Sequence, residues 1–300
     1  VIMKNLYAPK GIIPVPPTPF AKNDTINEAE YKRLLDYDIE RGVHCICIGG
    51  STGEWSTMSL EERKQLFKVA ADGIGTRAPK MATTGCHSLS KTLELTQYAV
   101  DLGYESILLI TPHYLQPGRE ATMDYYRTVA ETFPDLAICI YNVPHCTNVE
   151  MPVEDIIELA KIPNITGMKH CTDPTRTNKI IEGTKNEYFE STTGRENMIL
   201  ANLCQGGSGG MGVMCTIMPQ ELVKMYDLLM ENNWKEALKI DESLRNLSIL
   251  IEAEANPAPV KEVLNMMGFD FGAPRLPLRP CSPELREKLR KELIKLGYNV

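Results

Sequence analysis

At 300 residues, with 43% hydrophobic and 24% charged side chains, the chain can bury a large core, and its composition excludes an intrinsically disordered polymer. Its net charge of -7, with lysines and arginines interspersed among acids and no long basic run, argues against a nucleic-acid partner and leaves room for a small anionic substrate. There is no uninterrupted membrane-length apolar stretch, and residues 1–9 hold no apolar core long enough for a signal peptide.

The predicted elements alternate from the start. Short apolar strands are expected at residues 12–15, 43–48, 80–84, 107–110, 137–141, 165–169, 188–192 and 210–214, each followed by a helical pattern. Two helix starts carry the capping-box spacing, Asn27 with Glu30 and Ser59 with Glu62. Eight consecutive βα units predict a closed (β/α)8 TIM barrel over residues 1–231, with a doubly wound open sheet as the alternative. The fifth strand favours closure: Ala137 and Cys139 share one face, suited to a barrel interior, while Ile138 and Ile140 share the other. After Met218 only helices are expected, at 219–231, 234–252, 257–267 and 282–297, with a Pro/Arg-rich stretch at 273–280. The first completes the eighth unit, and residues 232–300 form a C-terminal helical extension packed on the barrel.

Nine cysteines occur without a CxxC pair, and Cys45, Cys47 and Cys139 fall on predicted strands. They read as buried reduced thiols, which predicts a cytoplasmic protein. The histidines, His44, His87, His113, His145 and His170, show no metal-ligand spacing, so no metal is expected.

In such a barrel the strands' carboxyl ends carry function, and two of them end in unusual residues. Lys169 closes the sixth strand on the face of Ile165 and Gly167, and Tyr141 closes the fifth on the face of Ala137 and Cys139. A snorkelling or salt-bridged lysine is the commoner fate. In an apolar barrel mouth, however, an amine loses hydration, its pKa falls, and it can attack a ketone to form an iminium. A tyrosine at a strand end often only rests its hydroxyl in water, but beside Lys169 it could shuttle the required protons. The turn Gly49-Gly50-Ser51-Thr52-Gly53-Glu54 presents backbone amides suited to a carboxylate and lacks the GK[ST] ending of a phosphate loop. The run from Gly207 to Gly212 matches GxGxxG, but it leads from helix to strand, the reverse of a dinucleotide fold; close backbone approach is expected there. His170 should face away from Lys169 and pack under a helix.

Together Pro17-Thr18-Pro19-Phe20, the turn after strand two, Thr111-Pro112-His113-Tyr114, Tyr141-Asn142-Val143-Pro144, Gly167-Met168-Lys169 and Pro274-Arg275-Leu276-Pro277-Leu278 resemble the dihydrodipicolinate synthase/N-acetylneuraminate lyase family of Schiff-base, pyruvate-type aldolases. The resemblance implies that Lys169 forms the Schiff base with a 2-oxo acid such as pyruvate and that Tyr141 relays protons. It places Ser51 between Tyr141 and Tyr114, with Tyr114 supplied by a neighbouring subunit of a homotetramer built as a dimer of dimers. It also implies that the amides of Ser51 and Thr52 hold the substrate carboxylate and that the Met211 carbonyl approaches the pyruvoyl group. Gly194, Cys171, Glu196, Asn197, Val213 and Cys146 complete the implied substrate-binding set. No cofactor is needed beyond the lysine-pyruvate Schiff base.

Departures from the family pattern bear on substrate. Cys146 occupies the place where dihydrodipicolinate synthases carry an arginine for the aldehyde partner's carboxylate. Cys171, Asn197 and Val213 stand where sialate lyases carry hydroxyl or acidic groups, leaving Thr172, Arg195, Glu196 and Asn197 as polar candidates. These departures favour reversible cleavage of a 2-keto-3-deoxy sugar acid to pyruvate and an aldehyde. A dehydratase or deaminase, a synthase-type condensation, and a catalytically silent binding protein are the alternatives.

Overall fold

The computed structural model describes residues 6–300; the first five, where part of the N-terminal reading falls, lie outside it. Eight strands run parallel: β1 (Gly11–Pro14), β2 (Ile46–Ile48), β3 (Lys80–Thr83), β4 (Ser106–Ile110), β5 (Ala137–Asn142), β6 (Ile165–His170), β7 (Glu190–Thr193) and β8 (Gly209–Gly212). Neighbours follow in the order β1-β8-β7-β6-β5-β4-β3-β2, so the sheet curls into the expected (β/α)8 TIM barrel. Among the described residues no helix is long and apolar enough to cross a membrane.

The seam between β1 and β2 explains why the second strand is shorter than its apolar run. The His44 amide donates to the Ile12 carbonyl at 3.0 Å, but the Ile12 amide donates to His44 Nδ1 at 3.1 Å instead of to backbone. A side chain thus replaces a ladder bond at this seam, and the regular pairing of β2, which begins at Ile46, is with β3. At the other side of β1 the backbones nearly touch: a Cβ on Gly209 would lie 1.9 Å from the Gly11 carbonyl oxygen. This is the close approach expected of the glycine run.

Side-chain alternation divides the core. Cys45, Cys47, Met81, Leu108, Cys139 and Met211 pack with the barrel interior, whereas Ile46, Ile48, Ile107, Leu109, Ile138 and Ile140 pack under the surrounding helices. One strand breaks the simple period of two. Between β5 and β6 the register passes from Ile138↔Ile165 to Cys139↔Gly167, leaving Thr166 as an extra residue whose hydroxyl donates to the Tyr7 carbonyl at 3.0 Å. This irregularity puts Ile165 with the outer core, not on the face of Lys169 as strict alternation predicts.

Local signals set the helix starts. Ser59 accepts from the Glu62 amide at 3.2 Å while Glu62 accepts from the Ser59 amide at 2.8 Å, a complete capping box. Asn27 accepts from the Glu30 amide at 3.3 Å, but the box there is half made. Glu30 turns its carboxylate to Arg33 and to the Asp270 amide, a partner from the C-terminal region.

That region begins beyond the helix Pro219–Met230 and comprises Trp234–Ile251, Ala258–Met266 and Pro283–Lys295. Leu244, Leu247, Val260, Leu264, Leu285 and Leu289 share one continuous core with the barrel interior. A buried ion pair joins the two: Lys261 Nζ lies 2.5 Å from Glu54 Oε1, with both side chains essentially inaccessible. Glu54 also accepts from the Arg275 amide at 2.8 Å. Replacing Lys261 by Met strands the Glu54 carboxylate without its counter-charge, and the expected loss is about 3–5 kcal/mol. Urea unfolding measures it; an unchanged midpoint would show that Glu54 finds another partner.

Candidate active site

The fold brings the two unusual strand ends together. Tyr141 and Lys169 are register partners on adjacent parallel strands, and Lys169 Nζ sits 4.7 Å from the centre of the Tyr141 ring. Both side chains are buried. They open into a cavity of about 470 Å³ at the carboxyl ends of the strands.

Of the residues expected from the sequence, Ser51, Thr52, Tyr141, Cys146, Lys169 and Cys171 line this cavity, as do Gly194, Glu196 and Val213. Gly194 has a steric reason to be glycine. A Cβ there would fall 2.5 Å from Lys169 Cε and 2.6 Å from Cys171 Sγ, so the absent side chain is the space the lysine occupies.

Three further residues of the implied set do not line this chain's cavity. Asn197 is exposed and off the cavity wall, because the 3-10 turn Glu196–Met198 rotates successive side chains by about a third of a turn. Glu196 therefore points inward and Asn197 outward. Met211, of which only the carbonyl was implied, is fully buried in β8, and the residues after it, Gly212 and Val213, line the wall. Tyr114 is 83% exposed, with a left-handed backbone (φ 61°), and lies outside its own chain's cavity. Thr172, a further polar candidate, donates to Glu150 at 3.1 Å. His170 faces the helices as expected, its ring nitrogens 3.3 Å from Asn202 Oδ1 and from the Thr177 hydroxyl.

Sequence reasoning missed His145 and the segment that roofs the cavity, Ile251, Glu252, Glu254 and Asn256. Ile251 ends a helix that looks like any C-terminal amphipathic helix and the other three follow it; only packing carries them to the strand ends. Asn256 gives one clue to the arrangement, donating to the Thr52 hydroxyl at 3.0 Å. The same turn is held from the opposite side, where the Thr18 hydroxyl donates to the Gly53 carbonyl at 2.7 Å.

Electrostatics follow from burial. Desolvation pushes the Tyr141 phenol up to about 12, against Lys169 and a hydrogen bond with Ser51, which lower it. Burial likewise raises the Cys171 thiol to about 11 and lifts that of Cys47. At Lys169 burial disfavours the charge, while Tyr141, Cys171, Cys47 and Glu196 in their anionic forms favour it and carry the balance upward. That is the reverse of the fall expected from burial alone. The phenol and thiols are protonated at neutral pH, however, so their attraction lapses there, and burial works against the charge with Glu196 as the opposing anion. Such an amine, with a proton donor beside it, can condense with a carbonyl.

Glu196 is held firmly. Its carboxylate accepts from the Val213 amide at 2.7 Å and the Met214 amide at 2.9 Å. Burial raises its carboxyl to about 7 even though both amides and Lys169 favour the anion. Among the described residues no group of three or more His, Cys, Asp or Glu is placed to hold a metal ion.

The sequence matches the dihydrodipicolinate synthetase family over residues 8–296. The chain belongs to this family. A curated relative, the 4-hydroxy-tetrahydrodipicolinate synthase of Methanosarcina barkeri, is 33% identical over 289 residues, covering 96% of this chain and 98% of the relative. Among solved structures, the dihydrodipicolinate synthase of Thermotoga maritima superposes with a TM-score of 0.93 at 30% identity, covering 97% and 99% of the two chains. The enzyme from Acinetobacter baumannii, solved with pyruvate, gives 0.92 at 32% identity, covering 96% and 99%. Members of the family are pyruvate-dependent class I aldolases and lyases that act on carbon–carbon bonds, and this chain is an enzyme of that type.

Two outcomes test the site's construction. Gly194→Ala places a methyl group where Lys169 lies, so turnover should fall by roughly 100-fold, the scale of a displaced reacting group, while circular dichroism stays native; normal activity would mean that the lysine has another resting position. For Glu196 the raised pKa sets the sign: the carboxylate is ionised above about 7 and protonated below it. Its hold on both amides is complete only when ionised, so kcat/KM should decline as pH falls through about 7. Glu196→Gln should remove that limb, and an unchanged pH profile would discount the role.

Proposed function

We propose that this enzyme forms a Schiff base between Lys169 and a 2-oxo acid, and that it reversibly cleaves a 2-keto-3-deoxy acid to pyruvate and an aldehyde. The observation that carries the proposal is the buried Lys169 amine beside the Tyr141 phenol, in register on adjacent strands at the mouth of the barrel.

The chemistry balances without an added oxidant or reductant. The neutral amine adds to the 2-oxo carbon, and proton transfer from Tyr141 lets the carbinolamine lose water to an iminium. The C3–C4 bond then breaks, its electron pair passing to the iminium nitrogen to form an enamine. The C4 hydroxyl loses its proton through Tyr141 and Ser51, leaving an aldehyde. Protonation of the enamine at C3 and addition of water release pyruvate and restore the amine. The amides of Ser51 and Thr52 suit the carboxylate of the 2-oxo acid, because their turn is clamped on both sides. The lysine-pyruvate adduct supplies the electron sink, so the reading calls for no cofactor.

The second reading is condensation of pyruvate with an aldehyde, as the names of the relatives suggest. Cys146 on the cavity wall, uncharged where those synthases carry arginine, favours cleavage of a different acid over the synthase reaction itself. In either direction Tyr114 acts in the cavity of a neighbouring subunit. Its exposure in an isolated chain supports assembly as a homotetramer, in a cytoplasm that keeps the nine free cysteines reduced.

Borohydride reduction in the presence of pyruvate, followed by intact mass and peptide mapping, tests the mechanism. One pyruvate-derived adduct is expected, on Lys169. A protein that gains no mass, or gains it on another lysine, would remove the Schiff-base assignment.

A further inference from the structure

Arg195 is the cation that the Schiff-base mechanism leaves unused. It follows Gly194, the residue against the Lys169 side chain, and it lines the same cavity. Its backbone is fixed: the amide donates to the Thr193 hydroxyl at 3.2 Å, and the carbonyl accepts from the Met198 amide at 3.0 Å. The guanidinium therefore leaves the end of β7 from an anchored position.

Three carboxylates share the cavity with it, and two are engaged elsewhere. Glu196 is bonded to the Val213 and Met214 amides. Glu254 accepts from the amide and hydroxyl of Ser282. Glu252 is exposed on the roof and acts on His145. Among the described residues Arg195 forms no ion pair. His145 adds no second cation, since burial and the neighbouring Arg195 both lower its pKa.

On the side of Cys146, Cys171 and Val213 the wall offers a neutral polyol few partners. They present two thiols and an isopropyl group where several hydroxyls would need partners. A planar fork of donors facing an open cavity without a carboxylate partner matches an incoming carboxylate or phosphate, which it can bind through two parallel hydrogen bonds.

We infer that Arg195 receives a second anionic group on the substrate, carried at the aldehyde end, so that the aldehyde released beside pyruvate is itself an acid. The inference rests on the Schiff-base reading and narrows its substrate class. A cation from the β7 end thereby serves the part of the substrate that Cys146, after β5, leaves without a charge.

The test runs the reaction toward condensation, with pyruvate and one of three aldehydes: succinic semialdehyde, glyceraldehyde 3-phosphate or neutral glyceraldehyde. Wild-type enzyme should favour an anionic aldehyde over glyceraldehyde, and whether the semialdehyde or the phosphate leads decides between carboxylate and phosphate. Arg195→Gln should lower kcat/KM for the favoured anionic aldehyde by roughly 10- to 100-fold, the range for hydrogen bonds to charged groups, chiefly through KM. Glyceraldehyde turnover should hardly change, and Arg195→Lys should recover part of the loss. Equal losses with charged and neutral aldehydes, or a wild-type enzyme indifferent to charge, would overturn the assignment. Borohydride trapping of pyruvate on Lys169 in both proteins separates a failure of the anion site from a failure of the Schiff-base reading.

Discussion

The geometry of the cavity depends on a charge pair formed outside it. Glu54 ends the glycine-rich turn after β2 in a left-handed backbone conformation (φ 59°), and its carboxylate meets Lys261 in a fully buried contact. Taking both ions out of water is costly, and the pair need not add net stability. Its effect is specificity: the turn cannot drift without leaving a charge unpaired. Arg275 extends the clamp to Glu62 at 2.6 Å and Asp24 at 2.8 Å. The Ser51 and Thr52 amides are thus positioned by side chains more than 200 residues away.

A second constraint operates inside the barrel. The sheet interior near Lys169 is filled by thiols and a phenol that burial keeps protonated. These groups are polarisable but uncharged at neutral pH, so they can donate protons without forming a permanent ion pair with the amine. Glu196 provides the nearby negative charge, and two backbone amides hold it at the rim. An iminium formed on Lys169 would find a wall of neutral groups and one carboxylate that is anionic above about 7, an arrangement suited to stabilising positive charge as it develops.

Much of this was legible in the sequence. All eight strands fall within a few residues of their apolar runs, and the capping box at Ser59 forms as spaced. Tyr141 and Lys169 stood out because polar ends on apolar strands are unusual in any sheet. The errors have physical causes. Ile165 lies with the outer core because Thr166 is inserted into the β5–β6 register, and Asn197 points outward because the 3-10 turn that carries it turns successive side chains apart. Glu252, Glu254 and Asn256 gave no local signal, since their place on the roof results from how the C-terminal helices dock.

The sequence by itself determined the barrel, its helical extension and the identity of the amine and phenol at its mouth. Periodicity and strand-end chemistry are local properties that survive whatever the rest of the chain does. Only the tertiary structure decided which side chains share the cavity, why position 194 must be empty, and that Arg195 remains uncommitted while Glu196 and Glu254 are bonded elsewhere. Those facts depend on distances between segments far apart in the chain, and such distances are set by packing and by buried charge pairs that no local pattern encodes.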